Sequence, residues 1–112
     1  MEKNYILVLT TVADEEQAGD LARSIVDAGL AACVQIQPIR SVYRWKGETC
    51  DEAEWRLMIK TTGAHYANLE QHIKANHAYE TPEIVQVPIT GGSREYLTWM
   101  DECTADEAAE TE

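Results

Sequence analysis

Hydrophobic positions along the chain switch between two periods, and the switches mark the elements. Tyr5-Ile6-Leu7-Val8-Leu9 is a continuous apolar run, too short for a helix and followed by Thr10-Thr11 and a polar turn. It predicts a strand buried on both faces. Asp14 then stands as an N-cap with Gln17 three residues on, and Ala18, Leu21, Ala22, Ile25 and Val26 recur at helical spacing until Gly29 supplies a stop. From Leu30 to Val42 the pattern alternates less cleanly, through Cys33, Val34, Ile36 and Ile39. Pro38 lies in the middle, which predicts a long strand bent or bulged there.

Tyr43-Arg44-Trp45-Lys46-Gly47-Glu48 reads as the approach to a hairpin tip, since Gly47 can take a positive φ. The return strand runs through Trp55, Leu57, Met58 and Ile59 to Lys60-Thr61-Thr62. A second helix opens near Gly63 or Ala64, turns Tyr66, Leu69 and Ile73 to the core, and ends around Asn76-His77. Pro82 introduces the last strand, Glu83-Ile84-Val85-Gln86-Val87-Pro88-Ile89, where Pro88 marks an edge or a strand end because it cannot donate a ladder hydrogen bond. Ser93 caps a closing helix that carries Tyr96, Leu97, Trp99, Met100 and Cys103. The order β-α-β-β-α-β plus a final helix is that of an α+β ferredoxin-like sandwich, an antiparallel sheet with a long hairpin between its second and third strands. Residues 1–103 form one domain, and 104–112 an acidic, flexible tail without a large apolar residue to hold it down.

Right-handed crossovers place the first two helices on the same side of such a sheet. The other face then carries apolar side chains over an area larger than monomers ordinarily expose. Another subunit is the economical cover; the third helix, folding back, would hide only part of it.

Composition narrows the class. Hydrophobic residues make up 45% of the chain, enough for a core. No run approaches the roughly 18 apolar residues of a membrane helix. Met1-Glu2-Lys3-Asn4 leads into the first strand without the features of a signal peptide, so the expected location is the cytoplasm. Cys33, Cys50 and Cys103 form an odd set with no C-x-x-C spacing and read as free thiols, Cys33 in the core. A net charge of −11 opposes nucleic acid as a partner.

Candidate chemistry is sparse. His65 and His72 lie two helical turns, about 10.5 Å, apart, too far to chelate one ion. His77 follows the helix end, where it either meets the helix dipole or serves as a ligand. Glu52 and Glu54 share a strand face and read as a solvated edge in preference to a cation site or an acid/base pair. Lys60 beside Thr61 and Thr62 either holds an anion or is a surface lysine next to capping threonines. Gly91-Gly92-Ser93 at a helix start is a weak anion signal. No residue set assigns nucleophile, base and oxyanion donors, so the reading is not an enzyme.

Taken together, Leu30-Ala31-Ala32-Cys33-Val34, Tyr43-Arg44-Trp45-Lys46-Gly47, Met58-Ile59-Lys60-Thr61, Tyr79-Glu80-Thr81-Pro82-Glu83 and Tyr96-Leu97-Thr98-Trp99 resemble the CutA divalent-cation tolerance family in order and spacing. The resemblance covers about Tyr5 to Met100. It implies a homotrimer whose strands pair across subunits, with sheets toward the three-fold axis and helices outside. It also implies a role in tolerance of divalent metals, chiefly copper, with no required cofactor and Cu(II) or another divalent cation bound weakly. The bacterial copper pattern has a cysteine at the end of the first strand and His-His before Pro-Tyr. Here Thr10 stands at the first position, and Asn76-His77-Ala78-Tyr79 at the others, so His77 alone remains as a metal ligand. Trp45, Lys60, Tyr79, Glu80 and Glu83 follow the family pattern and are implied to line or support clefts between subunits. Two functions are compatible with this. One is a trimeric metal-response protein; the other is a trimeric signalling or scaffold module that binds a small anionic ligand through Lys60.

Overall fold

The structure, a computed structural model, describes residues 4–104. Strand β1 (Tyr5–Val12) leads to helix α1 (Glu15–Asp27), strands β2 (Cys33–Trp45) and β3 (Glu48–Thr62), a 3₁₀ turn at 63–65, α2 (Tyr66–Ala75), β4 (Val85–Ile89) and α3 (Arg94–Cys103). The strands form one antiparallel sheet in the order β2-β3-β1-β4, which is the ferredoxin-like arrangement expected.

Local chemistry explains the element ends. Asp14 accepts the Gln17 N–H at 2.8 Å and caps α1. At the other end Gly29 takes φ +74°, its N–H donates to Val26 O, and the Leu30 N–H reaches Ile25 O, a Schellman motif that satisfies two orphan carbonyls. Ser93 caps α3 by accepting the Tyr96 N–H at 3.2 Å. Thr104, expected in the tail, is buried instead and ties its hydroxyl to Met100 O at 2.8 Å. The rest of the expected tail, 105–112, lies outside the described residues.

The bulge offered as one reading of Pro38 is absent. Register runs unbroken from Cys33 opposite Lys60, through Pro38 opposite Trp55, to Trp45 opposite Glu48. Lys46 and Gly47 both have positive φ, 51° and 82°, and make a two-residue turn of the I′ kind. The pair closing such a turn is hydrogen-bonded, so the odd-numbered residues of β2 exchange bonds with β3 and Pro38 does not. On this edge strand the proline therefore removes no bond. The final strand is also shorter than expected: it starts at Val85, while Ile84 packs on the core ahead of it.

The core lies between one sheet face and helices α1 and α2. Ile6 and Val8 of β1 and Leu57 and Ile59 of β3 meet Leu21 and Ile25 of α1 and Leu69 and Ile73 of α2. Each such buried side chain contributes about 1.5–3 kcal/mol. Burial of β1 on both faces, as expected from its apolar run, holds only in part. Tyr5, Leu7 and Leu9 are half-buried, and α3 packs on this outer face of the sheet, against β3 and Tyr5. The Tyr5 hydroxyl donates to Asp101 Oδ2 at 3.0 Å, and the Lys60 ammonium lies 5.5 Å from the Tyr96 ring centroid. Cys33 shares this outer face with Lys60, half-buried and outside the main core.

Candidate functional site

The distal half of the β2–β3 hairpin and the loop between α2 and β4 create the most chemically dense region. Once the two-residue turn sets the register, Tyr43 faces Cys50, next but one to Glu52 on the same sheet face. Its hydroxyl donates to Glu52 Oε1 at 2.6 Å. Tyr79 comes from the loop and donates to Glu54 Oε2 at 2.7 Å, over a carboxylate that is only 5% exposed. The bond to Glu52 foremost, with burial, pushes the Tyr43 phenol above its ordinary value; burial foremost, with the bond to Glu54, does so for Tyr79. Both phenols therefore remain protonated donors at neutral pH.

These tyrosines border a cleft of about 300 Å³ lined by Tyr43, Trp45, Ala78, Tyr79, Glu80 and Thr81. Lys46 spans its rim, with its ammonium 5.6 Å from the Trp45 ring centroid and 3.9 Å from Glu80 Oε1. Of the sequence-predicted ligand residues, Trp45, Tyr79 and Glu80 come together here. Glu83 is exposed and does not line the cleft, nor does Lys60, which lies under Tyr96. The Lys60-Thr61-Thr62 group is dispersed by strand alternation. Thr61 turns to the core side and donates to Leu30 O at 2.8 Å, and Thr62 Oγ1 is bonded to His65 Nδ1 at 2.8 Å. Neither hydroxyl joins the lysine.

His77 pins the start of the same loop. The Tyr79 N–H donates to its Nδ1 at 3.1 Å, which leaves the ring proton on Nε2 to bond Thr11 O at 2.7 Å. Both nitrogens are thus engaged, and a metal would have to displace one of these bonds. His72 is engaged too: Ser24 gives its proton to Leu21 O and so accepts from His72 Nε2 at 2.9 Å. Asn76 turns its amide back to His72 O at 2.8 Å. A second cleft, about 460 Å³, separates α1 from this loop and is lined in part by Asp20, Ser24, Asn76 and His77. Among the described residues no group of three or more His, Cys, Asp or Glu is placed to hold a metal ion. The described donors of one chain do not converge on a tight metal site.

Sequence reasoning missed the partnership of Glu54 with Tyr79 and of Glu52 with Tyr43. The second was readable from the hairpin register once Lys46-Gly47 is taken as a two-residue turn. The first joins residues 25 apart through a loop and left no local signal.

Comparison with known proteins supplies the wider context. The family model described as CutA1 divalent ion tolerance protein matches residues 6–103. The divalent-cation tolerance protein CutA of Thermus thermophilus is 46% identical over 99 residues, spanning 88% of this chain and 96% of that protein. A CutA protein of Arabidopsis thaliana, chloroplastic by name, is 46% identical over 100 residues, 88% of this chain but 55% of its own length. Among solved structures, CutA1 from Oryza sativa superposes with a TM-score of 0.89 at 43% identity, covering 92% of this chain and 95% of that one. The periplasmic divalent cation tolerance protein CutA of Archaeoglobus fulgidus gives 0.88 at 34% identity, covering 89% and 98%. Helices on both sheet faces, the long hairpin and the matched span agree, and the chain belongs to the CutA1 divalent ion tolerance protein family.

Proposed function

We propose that the chain works as a cytoplasmic, homotrimeric divalent-cation tolerance protein that meets copper or another divalent cation weakly. The observation that carries this reading is the family match over residues 6–103. Trimer formation is supported by the sheet itself. Both β2 and β4 are edge strands, with backbone groups available to strands of another copy. Val85 and Val87 of β4 are 46% and 41% exposed on the face that α3 covers only in part. The engaged His77 ring and the dispersal of donors among the described residues support weak rather than tight cation binding. A cation would then be shared between copies or held transiently by carboxylates. No helix among the described residues is long and apolar enough to cross a membrane.

Native mass spectrometry with and without Cu(II) tests both halves of the proposal. The expected result is a trimer mass with copper occupancy that falls on dilution. A monomer mass would refute the assembly, and a copper count unaffected by dilution would refute weak binding.

A further inference from the structure

We infer that Pro38 is a gate on the open edge of β2, confining β4 of a second copy to the stretch between Pro38 and the hairpin tip. The inference deepens the reading of the chain as a self-assembling protein and rests on it, though not on the number of copies. Hydrogen-bond phase is the starting point. The Lys46-Gly47 turn makes Trp45 and Glu48 a hydrogen-bonded pair, and register passes without interruption from β2 through β3 and β1 to β4. Odd-numbered residues of β2 therefore bond to β3, and odd-numbered residues of β4 to β1. Even-numbered residues of both strands turn their backbone groups outward. Pro38 and Pro88 are both even, so each open edge lacks a donor where its proline stands.

On β4 the outward groups belong to Gln86, which offers N–H and C=O, and to Pro88, which offers C=O alone. Laid antiparallel on β2, like every pair in the sheet, this strand leaves a carbonyl without a donor if Gln86 or Pro88 meets Pro38. The remaining stretches are Cys33 to Gln37 at the base and Ile39 to Trp45 toward the tip. Side chains choose between them. At the base, Val85 and Val87 would face Gln37 and Gln35, and Gln37 is already held by Arg56 at 2.7 Å. Beyond Pro38 they face Tyr43 and Ser41 when Gln86 stands opposite Val42, or Trp45 and Tyr43 when it stands opposite Arg44. Pairs of aromatic and β-branched residues are favoured across strands. Val42, 63% exposed, marks the same stretch as apolar surface that a single chain leaves uncovered. Val42 donates its N–H to the incoming strand in both arrangements, and Ile36 in neither.

Residue-resolved hydrogen exchange on the full chain, alongside native mass spectrometry, tests the gate. The N–H groups of Val42 and Ile36 both point away from β3. As concentration rises through the assembly range, exchange at Val42 should slow at least about tenfold while Ile36 is unchanged. Val42→Pro removes that donor and no bond to β3, so it should weaken assembly about tenfold, whereas Ile36→Pro should assemble like the wild type. Pro38→Thr restores the missing donor and should add assemblies of other masses to the spectrum. An assembled protein in which Ile36 slows with Val42, or in its place, overturns the inference and leaves self-association standing. A Pro38→Thr spectrum identical to that of the wild type does the same. A monomer mass at every concentration overturns both the gate and the assembly reading beneath it.

Discussion

Thr10 and Thr61 are both fully buried on the helix-covered face, yet only Thr61 has an acceptor. Thr10 Oγ1 finds no partner among the described residues. Replacing it by valine keeps the shape and removes a desolvated hydroxyl. Thr10→Val should therefore leave stability unchanged or raise it by about 1 kcal/mol, whereas Thr61→Val should lose about 1 kcal/mol. Urea denaturation of the two variants compares them directly, and equal losses would show that Thr10 is hydrogen-bonded, for instance to water. The Tyr79–Glu54 pair makes the opposite case. Tyr79→Phe leaves a carboxylate at 5% exposure without its donor and should cost about 1–3 kcal/mol, more than Tyr43→Phe on the exposed arm. Similar losses from both would contradict the burial argument. Glu54 was readable from the sequence only as a solvated glutamate, because carboxylates on a strand usually face water. What buries it is a tyrosine from a distant loop, and no spacing rule reports such a meeting.

At the level of elements, legibility followed the range of the interactions. Helix α1 was readable from end to end because its cap, apolar stripe and terminating glycine are all local. Gly29 needs its positive φ, so Gly29→Ala should cost roughly 1–2 kcal/mol while leaving the far-UV circular dichroism of the folded protein intact. A loss of helix signal at equal temperature, well below the transition, would mean the cap does more than end α1. Pro38 misled because the rule restricting proline in sheets does not say which hydrogen-bonding phase a residue occupies. The turn at Lys46-Gly47, eight residues away, sets that phase. The start of β4 was set two residues early for a similar reason, since Ile84 is apolar but serves the core from the loop.

The whole molecule carries its titration in pairs. Tyr5, Tyr43, Tyr66 and Tyr79 all ionise above the ordinary 10.0, through burial and bonds to Asp101, Glu52, Glu70 and Glu54. Groups raised in the fold give stability that is complete below the unfolded value and lost as pH rises through the folded one. Asp51 and Glu70 are shifted down from 3.8 and 4.5, chiefly by Arg40 and Lys74, and give stability that is lost as pH falls below those values. Thermal midpoints should thus form a plateau between about pH 4.5 and pH 10 and fall on both sides, with the alkaline fall reduced in Tyr79→Phe. An alkaline fall of the same size in that variant would assign it to other groups. The fold itself was legible at this scale, since element order and the side taken by the crossovers leave few topologies. The cover that α3 gives Tyr5 and Lys60 was less so, because a short amphipathic helix does not announce which surface it will meet. The molecule is 50 Å long but only 27 by 22 Å across, and the continuous pairing of β2 with β3 has a consequence for that reach. Adding one residue to each strand below the tip would turn Trp45 and Tyr43 to the opposite side of the ribbon. The arm can therefore keep its aromatic surface only by growing or shrinking in quanta of two residues per strand, about 7 Å at a time.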